Sequence, residues 1–89
     1  MRELKLDTRS CLDEQGTLHI FHYFVLIELS DLFGSCTEQY GIRITEEHGD
    51  TASIANITSD ITRIHTLLTL LSEHCVGPTG LADVVADWL

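Results

Sequence analysis

Five histidines and three cysteines are the residues of this chain best suited to metal binding or nucleophilic chemistry. They are His19, His22, His48, His65, His74, Cys11, Cys36 and Cys75. Structural zinc sites draw on paired ligands at C-x-x-C or H-x-x-x-H spacing, and neither pattern occurs. His19 and His22 form an H-x-x-H pair, but on a strand that spacing sends the rings to opposite faces. They cannot share one ion without a bulge. His74 and Cys75 adjoin at a predicted helix end, where a cationic histidine would suit the helix dipole. A cysteine nucleophile needs a base in reach and electropositive surroundings. Cys75 falls on an apolar stripe and reads as a small core residue, and Cys11 and Cys36 lie near predicted turns of an acidic chain. No glycine-rich loop joins a strand to a helix as a phosphate cradle. The expectation is no metal site, no cofactor and no catalytic residue.

Two further features sit at the C-terminal end. Asp83 and Asp87 share one face of a predicted helix. Paired carboxylates do acid–base work only in a desolvated cleft that separates their pKa values; here they read as a solvated face, with Asp87 open to a cationic partner at the negative helix end. Trp88 and Leu89 form a bulky apolar pair where chains ordinarily fray. They are expected to dock, either into the domain's own core or onto a partner.

Composition narrows the function classes. Eighty-nine residues make one small domain, 1–89, and 44% apolar content is ordinary for a globular chain. Five basic against fourteen acidic residues give a formal charge of −9. That balance disfavours nucleic acid and anionic membrane surfaces, both of which are captured by cationic side chains. Three cysteines without a C-x-x-C pair are not a disulfide framework, so reduced thiols and a cytoplasmic setting are expected. The alternating start, Arg2 to Asp7, is not expected to be a signal peptide, and the run from Tyr23 to Ile27 is too short to span a bilayer.

The elements that must position these residues follow from periodicity. Ile57, Ile61, Ile64, Leu68, Leu71 and Cys75 recur at helical steps, and Leu67 and Leu70 widen the stripe. Thr58 or Ser59 would cap this helix, and Gly77-Pro78 would end it. Before it, Leu4 and Leu6 alternate with charge as a half-buried strand. Asp13 to Gly16 is a turn. Thr17 to Leu29 is a central strand with Leu18, Ile20, Phe24 and Leu26 on one face and Phe21, Tyr23, Val25, Ile27 and Leu29 on the other. Ser30 to Ser35 connects it to a third strand, Thr37 to Glu46, with Tyr40, Ile42 and Ile44 facing one way. Glu47 to Asp50 turns into a short fourth strand, Thr51 to Ile57. Thr79 would cap a final helix bearing Leu81, Val84, Val85, Trp88 and Leu89. The fold class is α+β: a four-strand antiparallel meander followed by one long and one short helix. The helices can cover one sheet face; the other is closed either by curling of the sheet or by a second subunit.

Tyr40-Gly41-Ile42 and the tail from Gly77 to Leu89 carry a resemblance. The tail pattern, Pro-x-x-Leu-x-Asp-Val-Val-x-Asp-aromatic-Leu, resembles that of short proteins from Firmicutes, chiefly Clostridia, catalogued only as a domain of unknown function. This sequence departs from that pattern at Gly80 and Ala86. The resemblance implies fold and lineage and no mechanism.

The function expected on these grounds is a small, non-catalytic, cytoplasmic protein-interaction or regulatory module, homodimeric through an uncovered sheet face. Phe21, Tyr23, Val25 and Ile27 are expected at that face, with Asp83, Asp87 and Trp88 as further contacts. The alternative is a small metal- or ligand-sensing protein using the histidines and Cys75.

Overall fold

A computed structural model describes residues 2–32 and 35–89, with the side chains of 30–32, 35 and 36 left aside. The sheet comprises β1 (Arg2–Leu12), β2 (Leu18–Leu32), β3 (Ser35–Glu46) and β4 (Thr51–Thr58), antiparallel and in sequential order. Helix α1 (Ile61–Glu73), a single 3-10 turn (Pro78–Gly80) and helix α2 (Leu81–Trp88) complete the α+β fold. The expected break at Ser30–Ser35 is narrower: β2 and β3 stay paired from Phe21↔Glu46 out to Leu32↔Ser35, and Phe33 and Gly34 lie outside the described residues.

Local chemistry sets each boundary. Asp13 accepts hydrogen bonds from the Gln15 and Thr17 N–H groups and closes the first hairpin, with Gly16 at φ +78°. Helix α1 begins later than its periodicity implies, because Asp60 rather than Thr58 or Ser59 is the cap. Its carboxylate accepts from the Thr62 and Arg63 N–H groups. Ile57 therefore belongs to β4. At the far end Cys75, not Gly77, takes the left-handed position, at φ +51°. Val76 N–H bonds Leu71 C=O and Cys75 N–H bonds Ser72 C=O, the pattern of a Schellman cap. A non-glycine residue there costs about 1–2 kcal/mol. Thr79 does not cap α2, whose N-cap position is Gly80 with no side-chain bond.

Two register shifts shape the sheet. In β1 the pairing steps from Lys5↔Phe24 to Asp7↔Tyr23, so Leu6 is an extra residue, a bulge. In β4 the pairing steps from Ile42↔Ile54 to Tyr40↔Thr58, and Asn56 turns to φ +56°. Gly41 is required at this second shift: a Cβ there would stand 2.4 Å from the Ile54 carbonyl oxygen.

The core lies between one sheet face and the helices. Ile64, Leu67, Leu68 and Leu71 of α1, with Leu81 and Val85 of α2, pack on Phe21, Tyr23, Val25, Ile27, Tyr40, Ile42 and Ile44. This overturns the expectation that Phe21, Tyr23, Val25 and Ile27 form an uncovered face; Tyr23 is 0% exposed. The reason is chemical. Tyr23 finds an acceptor for its hydroxyl on this side, the Val76 carbonyl oxygen at 2.9 Å. The opposite face carries His22, Glu28, Arg43 and Thr45 beside Ile20, Phe24 and Leu26, and needs water for its charges.

Candidate functional site

Strand β1 and helix α1 run side by side, and the seam between them gathers most of the unusual chemistry of the molecule. From residue 4 to residue 11 a strand covers roughly 23 Å, and from 61 to 75 a helix covers roughly 21 Å. The two edges therefore match in length. At the start of the seam Leu4, Leu6 and Ile61 are 53%, 49% and 62% exposed. They rim an apolar groove of about 180 Å³ floored by Val25, Ile27 and Tyr40. Contiguous apolar exposure of this kind on a small domain marks an interaction surface more often than single scattered leucines do.

Midway, Leu6, Asp7, Tyr23, His65 and Ser72 surround a smaller, polar cavity of about 130 Å³. Burial pushes the Asp7 carboxyl upward, but the hydrogen bonds from the Arg9 side chain and the Thr8 N–H, with the Arg9 charge, outweigh it and hold the group below the usual carboxylate range. Arg9 Nε donates to Asp7 Oδ2 at 3.0 Å. Burial and then the Asp7 charge push the Tyr23 phenol up to about 12, so it remains a donor at neutral pH. Ser72 gives its proton to the Thr69 carbonyl oxygen at 3.1 Å, so it is not poised as a nucleophile.

The seam ends at a disulfide between Cys11 and Cys75, with Cα atoms 6.3 Å apart, inside the range such bonds span. This corrects the expectation of reduced thiols. Its signal was hidden because the two cysteines are 64 positions apart and show no motif spacing. The Leu6 bulge brings Cys11 to the helix side: an unbroken alternation from Leu4 would have turned it away. Cys75 is a bonded residue beyond the helix and not a member of the buried stripe. On chain-entropy grounds a loop of this length contributes about 4 kcal/mol.

Next to it, His19 is the cross-strand partner of Cys11 and stacks on Phe21. Its Nε2 lies 2.9 Å from Asp13 Oδ2 and its Nδ1 3.2 Å from Glu46 Oε1. Both nitrogens donate only in the imidazolium. The hydrogen bond to Asp13 comes first among the causes that raise its pKa; desolvation opposes, and Glu46 assists. His19 in turn lowers the pKa of Asp13. The clamp joins the two hairpin turns at this end of the sheet. His22 faces the other way, toward Thr8 and Glu47, so the H-x-x-H residues do not converge. Among the described residues no group of three or more His, Cys, Asp or Glu is placed to hold a metal ion.

The remaining expected contacts are spread out. Trp88 packs against the core in cis, half-buried, with the Arg63 guanidinium 4.5 Å from its ring centroid. Leu89 is exposed, as are Asp83 and Asp87, the last two on the solvated side of α2. Among the described residues no helix is long and apolar enough to cross a membrane. Sequence reasoning missed the groove because Leu4, Leu6 and Ile61 come from separate elements. It missed the clamp because nothing local ties Asp13, His19 and Glu46 together.

Comparison with curated proteins and with solved structures finds no match. A family model described as a family of unknown function, DUF6514, matches residues 2–89, and the chain belongs to that family.

Proposed function

We propose that the protein is a small, non-catalytic interaction or regulatory module that works in the cytoplasm as a homodimer. The carrying observation is the apolar groove rimmed by Leu4, Leu6 and Ile61, three large side chains left in water by a chain with little core to spare. The groove adjoins β1, an edge strand whose outward backbone groups are unpaired in the sheet. A second copy laid along that edge would bury the leucines and satisfy the backbone together. This moves the proposed contact from Phe21, Tyr23, Val25 and Ile27 to the seam, with Trp88 and the carboxylates of Asp83 and Asp87 as outlying contacts. A Firmicutes, chiefly clostridial, lineage goes with this reading through the tail residues.

The test is native mass spectrometry of wild-type protein beside Leu6→Glu. The wild type is expected to be a dimer and the variant a folded monomer, with unchanged circular dichroism. A monomeric wild type, or a variant that still dimerises, rejects the seam as the self-association surface. Among the described residues no specific arrangement of ligands favours the metal-sensing alternative: both His19 nitrogens face carboxylates, and Cys75 is bonded to Cys11.

A further inference from the structure

We infer that the Cys11–Cys75 bond is a reversible redox latch on the β1–α1 seam, opened by small-molecule thiols. Four observations carry this, and none depends on what occupies the groove. First, the buried core between the sheet and α1 is complete without either cysteine; Cys11 only packs at its margin. The opened protein therefore keeps its hydrophobic framework. Second, neither cysteine residue is fully buried. Third, the bond ties an edge strand, exposed along nearly all its length, to the cap residue just past the end of a helix. Those are the two places where local opening costs least. Fourth, Cys75 occupies a left-handed helix-cap position that glycine fills without cost, so the sulfur pairing holds a backbone that disfavours its side chain. The latch rests on the cytoplasmic setting proposed above: in reducing compartments the disulfides that form are usually transient and redox-sensing, which is the behaviour assigned here.

The exchange balances with two equivalents of a thiol such as glutathione. A thiolate attacks one sulfur of the pair, the Cys11–Cys75 S–S bond breaks, and the departing sulfur takes up a proton from water. A second thiolate then attacks the reductant sulfur of the mixed disulfide. The second cysteine leaves and is protonated in turn. The protein gains two electrons and two protons, and the reductant departs as its own disulfide. Opening loosens the Asp7–Leu12 half of β1 and the residues that follow α1, while the β2–β3 pairing and the hydrophobic core remain.

The experiment equilibrates full-length protein across a series of glutathione redox buffers that spans cytosolic ratios. Free thiols are then alkylated and mapped by peptide mass spectrometry, with amide hydrogen exchange on the same samples. Cys11 and Cys75 are expected to become reactive together within that series. Exchange should rise in Asp7–Leu12 and Ser72–Val76 and stay slow in β2 and β3. The melting temperature should fall by about 15 °C or more on opening, with the protein still folded at room temperature. A bond that survives the most reducing buffer, or a reduced protein that loses its sheet signal, overturns the latch and makes the disulfide a fixed structural staple. The double variant C11S/C75G, with glycine at the left-handed position, repeats the test without reductant: a native circular dichroism spectrum supports the latch and an unfolded one rejects it.

Discussion

The two faces of this sheet are made from the same strands, and both carry large apolar side chains, yet they are sealed in different ways. On the helix side Phe21, Tyr23, Val25, Ile27, Ile42 and Ile44 lie under α1 and α2. On the other side, among the described residues, no helix covers Ile20, Phe24 and Leu26. There Arg43 lies over Phe24, its guanidinium carbon 4.6 Å from the ring centroid, and pairs with Glu3 of β1. Leu26 is only 6% exposed on that bare face. A long cationic side chain can lay its stem over apolar surface while its head stays wet, and so does part of the work of a missing layer. The difference shows that an apolar sheet face in a small domain need not imply a partner. Apolar surface is left open instead at the seam between layers, at Leu4, Leu6 and Ile61, and at the Leu12–Leu18 end of the first hairpin.

Substitutions can sharpen this contrast. The largest effect is expected from Leu71→Ala on the helix side, where the side chain is 0% exposed and the cavity stays closed; a loss of about 2–5 kcal/mol in urea unfolding is expected. Leu26→Ala removes the same atoms from the bare face, where water can enter the space, and should cost about 1–2 kcal/mol. Equal losses would mean that the two faces are equally closed. Arg43→Ala should cost about 1 kcal/mol or less, through the lost ring contact and the half-exposed ion pair.

The smallest effect lies at the margin of the covered face and depends on pH. The His19 pKa is raised above its ordinary 6.5, so its contribution is full below pH 6.5 and is lost as pH rises through the higher folded value. The Asp13 pKa is lowered from 3.8, so its contribution is present above pH 3.8 and is lost as pH falls through the lower folded value. The clamp is therefore strongest between about pH 3.8 and 6.5, where both groups carry charge. In a series of thermal melts, His19→Gln should flatten the decline in melting temperature just above that window. An unchanged slope would show that another group governs it.

How much of this was legible in the chain varies with the element. The Ile64, Leu67, Leu68 and Leu71 part of the α1 stripe, the Asp13–Gly16 turn, the alternation of β2 and β3 and the order of elements all follow from local spacing, because helical and strand periods are properties of consecutive residues; Ile61 and Leu70, which the same periodicity assigns to the buried face, are exposed. The placement of Trp88 against its own core was one of two open readings, and it depends on α2 folding back toward Arg63. The helix boundaries moved by a few residues because Asp60 competes with Thr58 and Ser59 for one cap, a contest that periodicity does not register.

By itself the sequence determined the fold class, the sorting of β2 side chains into two sets and the separation of His19 from His22. Only the tertiary structure decided which set the helices cover, since alternation assigns residues to faces but does not say which face meets a neighbour. It also decided the reach of Cys11. A single extra residue at Leu6, set by pairing with β2, turns the second half of β1 over and brings together two sulfurs from opposite ends of the chain. Bulges and long-range bonds are relations between segments, and spacing along one segment does not encode them.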